Sequence, residues 1–249
     1  MIDTILLDLD GTLLNVHKEA FLGTYLSELK KVFARLGMDA ELSIKAVLAG
    51  TQAMIANDGS AFNSQRFWEA FAEFLGINDE QRKDIEAACD SFYANEFDVV
   101  KSVVEPSDIP KRLVRALRPK GYTVVLATNP LFPACAVATR LSWAGLEAQD
   151  FSYATHYANS TFCKPNLGYY REIFAKIGKE PAQCLMAGNS LAEDMCAGAL
   201  GASTFLVTDC IENKIKADIA AHQNGTLAEL EEYLMELPDI VGGEDKRRA

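Results

Sequence analysis

The chain has 249 residues, enough for one large domain or two modest ones, and its 49% hydrophobic content is sufficient for a packed core. It carries 24 basic and 35 acidic residues, for a net charge of -11, which excludes the basic surfaces that bind nucleic acids or anionic membranes. The six cysteines lack metal-ligand spacing, and no window approaches the ~20 apolar residues of a membrane span, so we expect a cytoplasmic protein without disulfides or zinc.

The first predicted strand is the apolar run "TILLDLD", which ends in two acidic residues, Asp8 and Asp10. Buried carboxylates are costly unless a positive group accompanies them, so this pair indicates a bound cation or a basic partner. Residues two apart in an extended chain face the same way, and both carboxylates can therefore address one site. Gly11 allows the tight turn that exposes them.

Residues 15–100 have the period of amphipathic helices, with Ser64 and Asn78 as predicted caps of two of them. A helical block of this size directly after the first strand predicts an inserted helical domain. His17 and Lys18, where the chain enters the insert, are candidates for substrate contact.

A loop of the insert is a second candidate for contact with a ligand. The stretch "MIANDGSAFNSQRFWEAF" supplies Asn63 and Arg66 as its polar residues. The aromatic residues that follow at helical spacing are predicted to pack in the interior of the helical domain.

From about residue 105 strands and helices alternate. Nearly continuous apolar runs predict buried parallel strands at "YTVVLATN", "CLMAGN" and "TFLVTD", with a weaker strand at "FSYATHY". Asp108 and Pro110 start one predicted helix, Ser190 caps another, "LAEDMCAGALG", and Gly145, Gly178 and Gly201 end helices.

This alternation predicts a doubly wound, Rossmann-like α/β fold with a mostly parallel sheet. The predicted core comprises residues 1–14 and 101–241, the helical cap domain residues 15–100, and a flexible tail residues 242–249. The sequence indicates no oligomeric state.

Ligands of open α/β sheets bind outside the carboxyl ends of the strands. Thr128, Asn129 and Asn189 lie at such ends, and Lys164 follows the weak strand, so we expect these side chains to meet the two aspartates in one crevice.

Four sequence motifs in this order resemble those of the haloacid dehalogenase-like (HAD) hydrolase superfamily. They are "DLDGT" at Asp8, "TN" at Thr128, "KP" at Lys164 and "GNSLAED" at Gly188. The insert matches the position of a type C1 cap. The resemblance implies a catalytic core of residues 1–14 and about 105–210.

An aspartate can split a difficult displacement into two steps through a covalent acyl phosphate. A carboxylate and a phosphate repel each other by roughly 1 kcal/mol per pair of charges in water at 4 Å, and by more in a low dielectric, so a cation must bridge them. Mg²⁺ fits because it takes carboxylate and phosphate oxygens together.

The resemblance implies a role for each of these residues. Asp8 would attack phosphorus and bind Mg²⁺, and Asp10 would bind it through its backbone carbonyl and act as general acid and base. Thr128 and Asn129 would hold the phosphoryl group next to Gly11, and Lys164 would balance its charge.

The fourth motif departs from the family, because Asn189 stands where most of its phosphatases have aspartate. An amide oxygen can bind Mg²⁺ without contributing charge. Asp194, or alternatively Glu193, would supply the acidic ligand.

The leading hypothesis is a magnesium-dependent phosphatase of a small phosphorylated metabolite, with the cap closing over the crevice. A haloacid dehalogenase and a phosphomutase would use the same aspartate. A non-catalytic metabolite-binding or regulatory protein is the alternative from another class.

Overall fold

One parallel sheet forms the centre of the molecule in the computed structural model, which describes residues 1–240. Its six strands are β1 Thr4–Leu7, β2 Thr123–Leu126, β3 Tyr153–Ala154, β4 Cys184–Gly188, β5 Ser203–Val207 and β6 Asn224–Gly225. Their order is β3-β2-β1-β4-β5-β6, which confirms the predicted doubly wound fold. The predicted tail, 242–249, and residue 241 lie outside the described residues.

Strand β1 occupies the middle of the sheet, and all four of its residues are buried. Leu6 pairs with Val125 of β2 and Met186 of β4. Side chains of β1 enter hydrophobic clusters on both faces of the sheet, which explains why the strand sequence is apolar without alternation. The two-residue strand β6 had no counterpart among the sequence predictions.

Residues 1–240 contain eight α-helices. They are α1 Lys18–Arg35, α2 Ala40–Ile55, α3 Asn63–Leu75, α4 Asp79–Asn95, α5 Ile109–Leu117, α6 Ala134–Trp143, α7 Leu167–Ile177 and α8 Leu227–Glu236. The first four lie within the predicted insert, and a 3-10 helix, Phe97–Val103, leads back to the core. The exact domain boundaries stay predictions.

Of the two predicted caps in the insert, one agrees with the structure and one does not. Asn78 caps α4 and forms a capping box with Gln81, as predicted. Ser64 is not a cap, because α3 begins one residue earlier and the backbone N–H of Ser64 donates to the Tyr157 carbonyl instead.

The segment after Ser190 forms turns and a 3-10 helix, Met195–Leu200, rather than the predicted α-helix. The Asp194 carboxylate accepts the backbone N–H of Ser190 at 2.9 Å. This bond closes residues 190–194 into a turn, so that a regular helix does not start there.

The cap helices and the core share one hydrophobic cluster. Phe97 is fully buried at its centre and packs against six aromatic rings from both parts, those of Phe21, Tyr25, Phe92, Tyr93, Phe132 and Trp143. Removal of this side chain would leave a cavity where cap and core meet.

We therefore expect Phe97→Ala to lower the free energy of unfolding by about 3–5 kcal/mol, the range for buried aromatic residues. Phe74 lies on α3 with 45% of its surface exposed, and Phe74→Ala should change stability by less than ~0.5 kcal/mol. Denaturant titration measures both values. Equal losses for the two variants would contradict the role assigned to Phe97.

Candidate active site

The carboxyl ends of the central strands surround one cavity. Asp8 follows β1 directly, and its backbone N–H donates to the Ala187 carbonyl of β4 at 3.0 Å. Thr128 and Asn189 follow β2 and β4 and line the same cavity. The structure therefore brings together residues that are more than 180 positions apart in the sequence.

The buried amine of Lys164 lies between two carboxylates. Its Nζ atom is 2.9 Å from Asp8 Oδ1 and 2.6 Å from Asp194 Oδ1. All three residues are less than 8% exposed. Burial alone would lower the pKa of Lys164, but Asp194 and Asp8 outweigh it and raise this pKa well above its usual range, so the amine is charged.

Both oxygens of Asp194 are engaged, one by Lys164 and the other by the Ser190 N–H. Burial raises the pKa of this carboxyl to about 7, against the opposing effect of Lys164. These contacts indicate that Asp194 orients Lys164. Its predicted role as a metal ligand has no support in this geometry and stays a prediction.

Asp10 has a partner that the sequence analysis did not identify. Its Oδ2 atom accepts a hydrogen bond from Nη1 of Arg140, a residue of α6 that is fully buried. The guanidinium stacks over the Phe132 ring, 4.3 Å from its centroid. Burial raises the pKa of Asp10 even though Arg140 acts to lower it.

Arg140 could have been found from the helical pattern. It falls on the same face of α6 as Ala136, Val137 and Leu141, all of which are buried. A charged residue on an apolar face needs a buried partner, but the pattern does not say which one.

The turn after Asp8 requires glycine. Gly11 has φ +85°, and a Cβ atom there would lie 2.2 Å from Asn189 Nδ2. The same amide nitrogen donates to the Cys210 carbonyl at 2.6 Å, which fixes the orientation of the Asn189 side chain. Gly11 thus makes room for Asn189 in addition to forming the turn.

The oxygen donors at this turn fit Mg²⁺. The Thr12 hydroxyl is 3.3 Å from Asp8 Oδ2 and 3.4 Å from Asn189 Oδ1, so that both oxygens lie near the same hydroxyl. Asp8 and Asn189 thus supply a carboxylate oxygen and an amide oxygen, both of the type that Mg²⁺ takes as ligands. Within residues 1–240, no three His, Cys, Asp or Glu side chains cluster as metal ligands do.

Three further candidates lie at the cavity. Thr128 and Asn129 line it, and the Asn129 amide donates to Glu193 at 3.0 Å. The Lys18 amine contacts Glu193 at 3.6 Å and Glu212 at 3.4 Å. Burial would lower the pKa of Lys18, but the two carboxylates outweigh it and raise this pKa.

The other candidates from the insert do not reach the cavity. His17 is exposed at the start of α1. Asn63 is buried and bonds to Asn57 and to the Pro130 and Phe162 carbonyls, which joins α3 to the core. Arg66 pairs with Asp58. These contacts assign structural positions to Asn63 and Arg66.

Comparison with known proteins agrees with the resemblance. The family of haloacid dehalogenase-like hydrolases matches residues 2–201. No curated protein sequence matches the chain.

Solved structures of similar fold include two kinds of enzyme. A 2-haloacid dehalogenase from Pseudomonas syringae pv. Tomato DC3000 has a TM-score of 0.60 at 17% identity, covering 94% of this chain and 99% of its own. A HAD phosphatase from Thermococcus onnurineus has a TM-score of 0.58 at 17% identity, with coverage of 94% and 98%. A predicted phosphoglycolate phosphatase from Haemophilus somnus has a TM-score of 0.54 at 18% identity, with coverage of 93% and 97%. At these identities the likeness concerns the fold.

Within residues 1–240, no helix has the length and apolarity needed to cross a lipid bilayer.

The contacts of Lys164 predict a large cost for the loss of Asp194. Asp194→Ala removes one partner of a buried charge and an acceptor of a backbone N–H, and should lower the free energy of unfolding by about 3–5 kcal/mol. Asp194→Asn keeps the shape and should cost less.

Glu96→Ala is the control for this prediction, because it breaks an exposed pair with Arg35 and should cost less than ~1 kcal/mol. Denaturant titration compares the three variants. A cost for Asp194→Ala as small as that of the control would show that Lys164 does not depend on it.

Proposed function

The chain belongs to the haloacid dehalogenase-like hydrolases, and on that basis we propose that it is a magnesium-dependent phosphatase of a small phosphorylated metabolite. The observation that carries this proposal is the different environment of the two aspartates. Asp8 is paired with a buried amine, whereas the Asp10 carboxyl is held by the Arg140 guanidinium and burial raises its pKa beside the same cavity. One carboxyl is thus suited to attack and the other to carry a proton.

The first step transfers the phosphoryl group to the protein. An oxygen of Asp8 forms a bond to phosphorus while the bond from phosphorus to the alcohol oxygen breaks. Asp10 gives its proton to the departing alcohol oxygen. Lys164 and the Thr128 hydroxyl stabilise the charge that develops around phosphorus.

The second step releases phosphate. Asp10, now ionised, takes a proton from a water molecule that attacks the phosphorus of the aspartyl phosphate, and the bond to Asp8 breaks. Mg²⁺ bound by Asp8, Asn189 and the Asp10 carbonyl would neutralise part of the charge between carboxylate and phosphate. Arg140 keeps the Asp10 carboxyl in place in both steps.

A haloacid dehalogenase is the second candidate. The uncharged Asn189 and the fold shared with dehalogenases favour it. In that reaction Asp8 would attack carbon and release a halide without a metal ion. The presence of Asp10 as a possible proton donor favours the phosphatase, because displacement of a halide needs no proton donor. Chloride release from 2-chloropropionate in the presence of EDTA would favour the dehalogenase.

Product analysis distinguishes a phosphomutase from the phosphatase, and a binding assay distinguishes a non-catalytic protein. A phosphomutase would return the phosphoryl group to a second hydroxyl of the same sugar without release of phosphate. A non-catalytic binding protein would show thermal shifts with phosphorylated metabolites and no turnover.

Loss of the nucleophile should abolish the reaction. We expect Asp8→Asn to lower hydrolysis of p-nitrophenyl phosphate by on the order of 10³-fold or more, because the phosphoryl group then has no acceptor. EDTA should abolish the activity of the unmodified protein, and added Mg²⁺ should restore it.

Asp58→Asn changes an exposed aspartate of the cap and should retain full activity. The rate of p-nitrophenolate release is measured for the unmodified protein, for Asp8→Asn and for Asp58→Asn. Full activity of Asp8→Asn would end the proposal, and full activity in EDTA would remove the metal from it.

The role of Asp10 predicts a dependence on the leaving group. Asp10→Asn should lower kcat/KM for an alkyl phosphate by about 10²–10⁴-fold, because an alkoxide cannot leave without a proton. The loss should be smaller for p-nitrophenyl phosphate, whose phenolate leaves readily. Equal losses for the two esters would contradict the assignment of Asp10 as general acid.

A further inference from the structure

A second cavity lies next to the candidate active site, inside the cap. It encloses about 360 Å³, within the range of small-molecule sites. Its walls come from α1 to α4 and from the loop after β2. Six residues line both this cavity and the first one: Lys18, Leu22, Asn129, Leu131, Phe132 and Glu193.

Because they share these six lining residues, the two cavities are adjacent. Lys164, the amine beside Asp8, also lines the cap cavity. The cap cavity therefore adjoins the space beside Asp8 across Leu22 and Phe132.

The cap cavity is lined mainly by apolar side chains. Its aromatic residues are Tyr25, Phe33, Phe67, Trp68, Phe71, Tyr93, Phe132 and Tyr157, most of them from α1, α3 and α4. Aliphatic side chains of α1 and α2, such as Leu26, Leu29 and Val47, complete it. Burial of an apolar ligand against such a surface is favourable, whereas burial of a charged group there is unfavourable.

The charged groups at this cavity offer no free cation. Among the described residues that line it, the cationic ones are Lys18 and Lys164, and both are already paired with carboxylates. Asp90, which is exposed, and Glu193 add negative charge. A substrate with a second anionic group would find no partner for it here.

The other titratable groups of the wall are neutral at physiological pH. Burial raises the pKa of Tyr157 to about 12 and that of Cys89 to about 12. Neither the phenol nor the thiol therefore adds charge.

The cavity reaches solvent along α1 and α2. Leu22, Leu48 and Ile55 line it and are 38%, 50% and 42% exposed. Exposed leucine and isoleucine at the rim of an apolar cavity are typical of a ligand entrance. A ligand longer than the cavity can extend through this mouth.

We propose that the cap cavity binds the leaving group of the substrate, and that the substrate is a phosphate monoester of an uncharged, apolar alcohol. This inference rests on the proposed phosphatase function and adds the chemical class of its substrate. The fold alone does not imply it, because it depends on side chains of α1 to α4.

The test compares phosphate esters whose alcohols have similar acidity and differ in apolar length. Ethyl phosphate, hexyl phosphate and the carboxylate-ended analogue 6-(phosphonooxy)hexanoate form such a set. We expect kcat/KM for hexyl phosphate to exceed that for ethyl phosphate by about 10- to 250-fold, since hexyl phosphate has four more methylenes and each contributes roughly fourfold when fully buried. The carboxylate-ended ester should lose most of this gain.

Two variants of α2 test whether the preference for hexyl phosphate arises in the cavity. Thr51 is half-buried and lines the cavity, whereas its neighbour Gln52 is exposed and does not. Thr51→Phe should reduce the preference for hexyl over ethyl phosphate to less than ~3-fold, because the added ring fills the space. Gln52→Phe should keep the preference. An unchanged circular dichroism spectrum and melting temperature show that each variant is folded.

Leu48→Glu provides a second variant at the exposed mouth, where a charge does not prevent folding. It should also lower kcat/KM for hexyl phosphate more than for ethyl phosphate.

The outcomes separate the two proposals. Equal kcat/KM for ethyl and hexyl phosphate, or faster hydrolysis of the carboxylate-ended ester, overturns the substrate class and leaves the phosphatase function standing. A preference for hexyl phosphate that Thr51→Phe does not alter overturns the assignment of the cavity. Absence of hydrolysis for all three esters overturns the proposed function itself.

Discussion

The ammonium group of Lys164, held between Asp8 and Asp194, is the interaction on which the site depends. Three chain segments that are distant in sequence supply these groups, and none of the three side chains would be stable in the interior alone. Their mutual neutralisation allows two carboxylates to lie beneath the ends of a hydrophobic sheet. It also leaves one oxygen of Asp8 directed away from the amine, toward the Thr12 hydroxyl. The interaction that makes the buried carboxylates stable therefore also determines which oxygen of Asp8 is left outside the ion pair.

The sheet and the order of its parts follow from local sequence. The middle strands are apolar on both faces because both faces of the sheet are covered by helices. Their continuous apolar runs can therefore be recognised in the sequence without knowing which strands they pair with. The helix start at Asn78 is equally local, since the capping box involves residues three apart. Lys164 was found because its motif accompanies the others in a fixed order.

The sequence predictions fell short where a distant partner decides the local structure. Ser64 has the chemistry of a cap, but its backbone bonds to the core loop at Tyr157. The segment after Ser190 has a helical composition, but the carboxylate of Asp194 turns it toward Lys164. Arg140 is visible as a charge on an apolar face, whereas its pairing with Asp10 spans 130 positions. No pattern within one helix encodes such a pairing.

The aromatic cluster around Phe97 has a consequence for how molecules enter and leave. A swing of the whole cap about a hinge would separate its rings from Phe132 and Trp143 of the core, at a cost of roughly 1.5–3 kcal/mol for each side chain that becomes exposed. An entrance between α1 and α2 avoids that cost, because the residues there already face solvent. Passage of a ligand between these helices would need only rotamer changes of exposed leucine and isoleucine side chains, which are fast.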